Sequence, residues 1–200
     1  MDKGDIKKGI LFTGLFVGLL LGYNALVENL PLTEEDGRIL LDIADRGLHE
    51  ETYEGGIPLK LSRKAPLFLS VYQENKRVSC IGYTKPYFTL QQSVDRLSES
   101  TEFDKSKDYS LAVTVFGDYQ PLEKYGLIPS NHGVLVTKNG TEGAVLPQSF
   151  TEYGLDDNLA LDLAAWKAGF ESFTWDEFTV YVFEADVFTQ SNSMNDSLIP

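Results

Sequence analysis

The chain has one cysteine, Cys80, in 200 residues, and only two histidines, two tryptophans and two methionines. A lone cysteine excludes an intramolecular disulfide. Two scattered histidines, His49 and His132, together with one thiol supply no zinc-ligand spacing, so no metal and no cofactor is expected. There is no Walker-type phosphate loop, no dinucleotide-binding glycine pattern and no nucleophile-elbow serine. Internal repeats are absent as well. Basic residues are scarce, 17 Lys and Arg against 30 Asp and Glu, for a net charge of −13 and a pI of about 4.5. Residues 1–27 carry Lys3, Lys7 and Lys8 against Asp2 and Asp5, a net of +1, which leaves −14 for the remainder. That balance argues against nucleic acid, and against an anionic lipid surface, as a partner of the acidic part. What the chain does have is 42% hydrophobic and 12% aromatic residues, enough to bury a core.

Residues 10–27 read ILFTGLFVGLLLGYNALV, eighteen residues without a charge. As a helix this run spans roughly 27 Å, close to the hydrocarbon thickness of a bilayer. Residues 1–9 form a short basic amino terminus. A signal peptide shares this layout, but small residues do not fall at the last and third-last positions of any cleavage site: Tyr23 precedes Ala25, and Leu20 precedes Gly22. The expectation is therefore an uncleaved single-pass anchor, with a processed signal peptide as the alternative. Lysines before the run and Glu28, Glu34, Glu35 and Asp36 after it place the amino terminus in the cytoplasm and the domain on the extracytoplasmic side.

Beyond the anchor, Thr33 caps a helix whose first turn is acidic and whose apolar face is Ile39, Leu40, Ile43, Ala44 and Leu48. Leu67, Leu69 and Val71 alternate with Phe68, Ser70 and Tyr72, the period of a strand. Residues 78–83 pair with it as a hairpin across Glu74-Asn75-Lys76. Leu90, Val94 and Leu97 recur at helical spacing, followed by a loop over residues 98–108. Another strand covers 109–116, and Asn139-Gly140 marks a tight hairpin between 132–137 and 142–146. Asp156 or Asp157 caps a helix with Leu159, Leu163 and Trp166 on its apolar face, and Gly169 suits the left-handed position after it. Residues 178–188 read as one long, central strand. Hairpins mixed with separated helices predict an α+β fold.

Cys80-Ile81-Gly82 closes a strand much as the hallmark hexapeptide Leu-Arg-Gly-Cys-Ile-Gly does in the AMMECR domain family, which this chain resembles. Further matches come in the family's order. They are Leu32-Thr33-Glu34-Glu35 with Leu40-Leu41-Asp42-Ile43-Ala44, then Pro66-Leu67-Phe68-Leu69-Ser70-Val71, His132-Gly133-Val134, Leu146-Pro147-Gln148, Lys167-Ala168-Gly169 and Phe183-Glu184-Ala185-Asp186-Val187-Phe188. The resemblance spans residues 32–188, leaving 189–200 as a polar tail. It implies a single α+β domain with a central, mostly antiparallel sheet flanked by helices, the hexapeptide lying at a cleft. It also implies a link to a Memo-type protein and a radical S-adenosylmethionine protein, with no established activity. The hexapeptide's Arg-Gly is replaced by Val78-Ser79, and the cysteine often found before Lys-Ala-Gly by Ala165. Arg77 is the nearest arginine, one residue out of register and hence expected on the other strand face.

The candidate cleft residues are Cys80, Ile81, Gly82, His132 and Gln148. Two readings of Cys80 stand: a small buried apolar residue, or a thiolate nucleophile with His132 as base and Asn131, Gln148 or an acid as orienter. The first belongs with a binding or scaffold module carrying a partly degenerate hexapeptide. The second belongs with a cysteine-dependent enzyme or enzyme subunit. His132 itself reads as either a pocket lining or a hydrogen-bonded structural residue. Tyr83, Tyr87, Phe88 and Tyr125 are candidates for a stacking surface.

Overall fold

The computed structural model describes residues 30–190, so the apolar run at 10–27 lies outside the described residues. Among the described residues no helix is long and apolar enough to cross a membrane. The fold is α+β, with two four-stranded antiparallel sheets where one central sheet was expected.

Sheet one has the order β2-β1-β3-β8, from β1 (Leu67–Gln73), β2 (Lys76–Tyr83), β3 (Ser110–Phe116) and β8 (Ala185–Thr189). The alternation in β1 sets its two faces. Leu67, Leu69 and Val71 are fully buried against α1 (Glu34–Leu48) and α2 (Leu90–Ser100), in a core that includes Leu40, Leu48, Val94 and Val113. Thr33 caps α1 through a reciprocal box with Asp36, whose carboxylate also receives the Lys60 ammonium at 2.5 Å. Burial works against ionisation of Asp36. Lys60 and the hydroxyl and amide of Thr33 outweigh it and hold the carboxyl below its usual range.

Sheet two has the order β4-β7-β5-β6, from β4 (Gln120–Pro121), β5 (Gly133–Lys138), β6 (Thr141–Val145) and β7 (Thr179–Phe183). Asn139 (φ 54°) and Gly140 (φ 80°) form the expected β5-β6 turn in the left-handed region. α4 (Asp157–Lys167) packs on this sheet, and Asp156 is its cap, accepting from the Leu159 amide at 2.9 Å.

Two expectations change. Residues 178–188 do not form one strand: the chain leaves sheet two at Phe183 and enters sheet one at Ala185, so this segment joins the two sheets. Its two halves find different partners, Gly133–Thr137 of β5 for β7 and Ala112–Phe116 of β3 for β8. α4 also turns the other way. Ala160, Leu161, Ala164 and Ala165 face the sheet, while Leu159 and Trp166 are 53% and 68% exposed. Small residues allow a close helix-to-sheet approach here, and Gly143 of β6 lies against the Ala164 carbonyl. A third cluster of Phe116, Leu135, Ala144, Leu146 and Phe183 holds the two sheets together, with the Phe116 and Phe183 rings stacked at 3.9 Å.

Candidate functional site

The second face of sheet one is polar. Phe68, Ser70 and Tyr72 of β1 lie on it, opposite Gly82 and Cys80 of β2 and beside Thr114 of β3. Register decides what joins them. Val71 pairs with Ser79 but Tyr72 pairs with Arg77, so Val78 is an extra residue, a β-bulge. Without the bulge, Arg77 and Cys80, three residues apart, would point to opposite faces. With it, Arg77 comes opposite Tyr72 and shares the face of Cys80, and Val78 is displaced outward, 49% exposed.

α3 (Pro147–Tyr153) covers this face, in a stretch where the sequence showed only a strand end. The Arg77 guanidinium, with its side chain 6% exposed, donates to Ser149 Oγ at 2.8 Å and to Tyr153 Oη at 3.2 Å. It also pairs with Glu152 Oε2 at 3.0 Å. Tyr72 donates its hydroxyl to Glu152 Oε1 at 2.6 Å. Burial and that carboxylate push the Tyr72 hydroxyl well above its ordinary pKa. Gln148 donates through Nε2 to Thr114 Oγ1 at 2.8 Å, while its Oε1 and the Ser70 Oγ are buried with no protein partner.

Cys80 is half-buried and packs against the cluster joining the sheets. It interacts electrostatically with Arg77 and with Lys167, the lysine of the Lys-Ala-Gly motif. Lys167, at the end of α4, donates to the Ala144 carbonyl at 3.0 Å. Burial holds its ammonium below the usual lysine range, Arg77 acts in the same direction, and Cys80 opposes both.

The candidate residues thus separate. Cys80 and Gln148 lie on one face. Ile81 points the opposite way, into the α1-α2 core. Gly82 gives room to a ring, because a Cβ there would sit 2.3 Å from Phe68 Cγ. His132 lies at the β7-β8 junction, in a pocket of about 400 Å³ lined by Gly117, Ser130, Asn131, Glu184, Ala185 and Asp186. Its Nδ1 donates to the Ser130 carbonyl at 3.0 Å and its Nε2 is 3.8 Å from Glu184. Cys80 is on edge strand β2 and this pocket is on β8 at the opposite edge. At about 4.8 Å per strand, they are separated by about 14 Å of sheet. The structure does not bring the thiol and the imidazole together. Tyr83, Tyr87 and Phe88 do pack as one ring cluster, whereas Tyr125 packs at a tilt against Trp175 elsewhere. No group of three or more His, Cys, Asp or Glu among the described residues is placed to hold a metal ion.

The sequence reading missed Ser70, Tyr72, Thr114, Ser149, Glu152 and Lys167. Ser70 and Thr114 carried a signal: each is a hydroxyl with apolar neighbours on both sides in its strand, and both prove fully buried.

The family model of AMMECR1 matches residues 41–188. The chain belongs to the AMMECR1 family. A protein of Aeropyrum pernix is 29% identical over 193 residues, covering 82% of this chain and 83% of its own length. One of Methanothermobacter thermautotrophicus is 27% identical, covering 79% and 96%. The crystal structure of the uncharacterized protein PH0010 from Pyrococcus horikoshii has the same fold, with a TM-score of 0.69 at 23% identity over 79% of this chain and 93% of that one. The AMMECR1 match takes in the bulged strand, α3 and the Lys167 turn, so the polar face lies wholly within the family's domain.

Proposed function

We infer that this AMMECR1-family domain is a binding or scaffold module held at a membrane by residues 10–27, its amino terminus cytoplasmic and the domain extracytoplasmic. The observation that carries this reading is an outward apolar surface. Leu159 and Trp166 sit seven residues apart on the outer side of α4, and Tyr125 and Leu127 of the loop after β4 are 72% and 81% exposed. The loop bearing Tyr125 and Leu127 is tied to the helix by the Ile128 amide, which donates to Asp157 at 3.0 Å. Single apolar residues on a surface are ordinary, but four large ones this exposed, on α4 and on a loop tied to it, support an interaction site. Family resemblance suggests a Memo-type or radical S-adenosylmethionine protein as the partner.

The test is titration of the full chain, in mild detergent, with the Memo-type protein of its own host. Binding that is lost on Trp166→Glu and Leu127→Glu supports the reading. No binding, or binding unchanged by both substitutions, overturns it. Topology has a separate test, a Cys80→Ser variant with Ser193→Cys added. Labelling of intact cells by an impermeant maleimide places the domain outside, and labelling only after lysis reverses that placement.

The second reading, a cysteine-dependent enzyme or subunit, is favoured by the bulge that brings Arg77 onto the face of Cys80. It needs a base other than His132. If Cys80 reacts with iodoacetamide no faster in the folded chain than in an unfolded control, this reading fails.

A further inference from the structure

Two buried polar atoms on the face under α3, Ser70 Oγ and Gln148 Oε1, have no hydrogen-bond partner among the described residues. Ser70 is 0% exposed and lies on β1, an inner strand of its sheet. A buried hydroxyl without a partner is costly, and native structures keep few of them. Gln148 keeps one end of its amide free whichever way it is turned, because Thr114 Oγ1 engages only the other end, at 2.8 Å. This layer of the fold therefore holds hydrogen-bonding capacity that the chain itself does not use.

Strand register sets a thiol beside it. Ser70 pairs directly with Cys80 of β2, and the two share a face. Directly opposed residues have Cβ atoms about 5 Å apart, yet the Ser70 hydroxyl makes no hydrogen bond with the thiol. One oxygen added to the sulfur extends the Cys80 side chain toward that hydroxyl. β2 is an edge strand and Cys80 is only half-buried, so a small solute can reach the sulfur. We propose that Cys80 is a site of reversible oxidation by a hydroperoxide, its sulfenic acid held by a hydrogen bond from Ser70. The thiolate sulfur attacks the terminal peroxide oxygen, and the S–O bond forms as the O–O bond breaks. Sulfur gives up two electrons, the peroxide is reduced to an alcohol or water, and the proton of the thiol ends on that product. Cys80 is the only cysteine of the chain, so no second thiol within it can convert the product to a disulfide, and the return to the thiol takes an external thiol. The Ser70 bond slows that return. The site needs no catalytic turnover and no membrane, so it stands apart from both readings above.

The test treats the reduced full chain, in mild detergent, with one equivalent of hydrogen peroxide, removes unreacted peroxide with catalase and adds glutathione. Samples taken at intervals are quenched into guanidinium chloride containing dimedone, so access to the folded site does not matter. The adduct on the Cys80 peptide is quantified by mass spectrometry, with Cys80→Ser as the blank. An adduct in the parent that decays about fivefold faster in Ser70→Ala, the effect of one lost hydrogen bond, supports the proposal. Unfolding the parent in urea should speed the decay at least as much. Before oxidation, Ser70→Ala should unfold at a urea midpoint no lower than the parent's, since it deletes a buried hydroxyl without a partner. No adduct in the parent, or equal decay in the parent and Ser70→Ala, overturns the proposal. A lowered midpoint in Ser70→Ala with unchanged decay also overturns it, and assigns the Ser70 hydroxyl to a bound water.

Discussion

Replacing Arg77 by Met keeps the length of the side chain and removes its fork. Ser149, 1% exposed, then keeps a hydroxyl without its donor, and Glu152, whose side chain is 26% exposed, keeps only the Tyr72 hydroxyl. Removing one partner of a fully buried ion pair costs about 3–5 kcal/mol. Water reaches Glu152, so the loss here should be smaller, yet larger than the roughly 1 kcal/mol of a neutral hydrogen bond. About 2–3 kcal/mol is the expected cost. For a chain of this size that lowers the midpoint of thermal unfolding by roughly 4–12 °C, measurable by circular dichroism on the full chain in mild detergent. Arg77→Lys should lie in between, because an ammonium keeps the charge but cannot hold Ser149, Glu152 and Tyr153 at once. The double variant Arg77→Met with Glu152→Gln no longer strands a carboxylate, and should recover about 1 kcal/mol relative to the sum of the single changes. A midpoint within about 1 °C of the parent for Arg77→Met, or strict additivity of the pair, would refute the clamp between β2 and α3.

Two further outcomes follow from the packing. A Cβ on Gly143 would lie 2.0 Å from the Ala164 carbonyl oxygen and 2.7 Å from the Ala168 nitrogen, both backbone atoms. Gly143→Ala should therefore push α4 off β6 and cost on the order of 2–3 kcal/mol by urea midpoint; a neutral substitution would show that the helix does not sit this close. The hydroxyls of Tyr72, Tyr109 and Tyr119 are all raised above their ordinary pKa of 10.0, by burial first, with carboxylates adding to it. A raised folded pKa gives stability that is complete below the unfolded value and declines as pH rises past it. The urea midpoint should thus hold to about pH 10 and fall above it, with a shallower fall in Tyr119→Phe; an unchanged slope in that variant would remove Tyr119 from the account.

Local chemistry made much of the fold legible. Thr33, Asn139-Gly140, Asp156 and Gly169 (φ 89°) each act within a few residues of themselves, and each sits where its side chain or its freedom at positive φ suits the backbone. The alternation in β1 separated its core face from the face that carries the candidate site. What was not legible depended on partners distant in sequence. The run at 180–183 is apolar on both faces, and the charged Glu184 that follows it does not by itself show that the chain crosses there from one sheet to the other. The inner face of α4 was misassigned because alanines at 160, 164 and 165 carry little hydrophobic signal beside Leu159 and Trp166, although only small residues allow the approach to Gly143.

The bulge at Val78 bears on how a degenerate hexapeptide is judged. In a linear comparison this chain has lost the arginine ahead of the cysteine, and the arginine it retains stands one position too early to share the face of Cys80. Strand pairing changes that count. With two residues of β2 set against one step of β1, Arg77 moves to the face of Cys80. Its fork, however, is spent on Ser149, Glu152 and Tyr153 of α3, where a ligand would have to compete with an ion pair at 3.0 Å. Position alone therefore does not restore a ligand contact. The arginine is back on the right face, but it works as a clamp holding a helix over the cysteine, and that arrangement fits a module that presents surfaces better than one that opens a cleft.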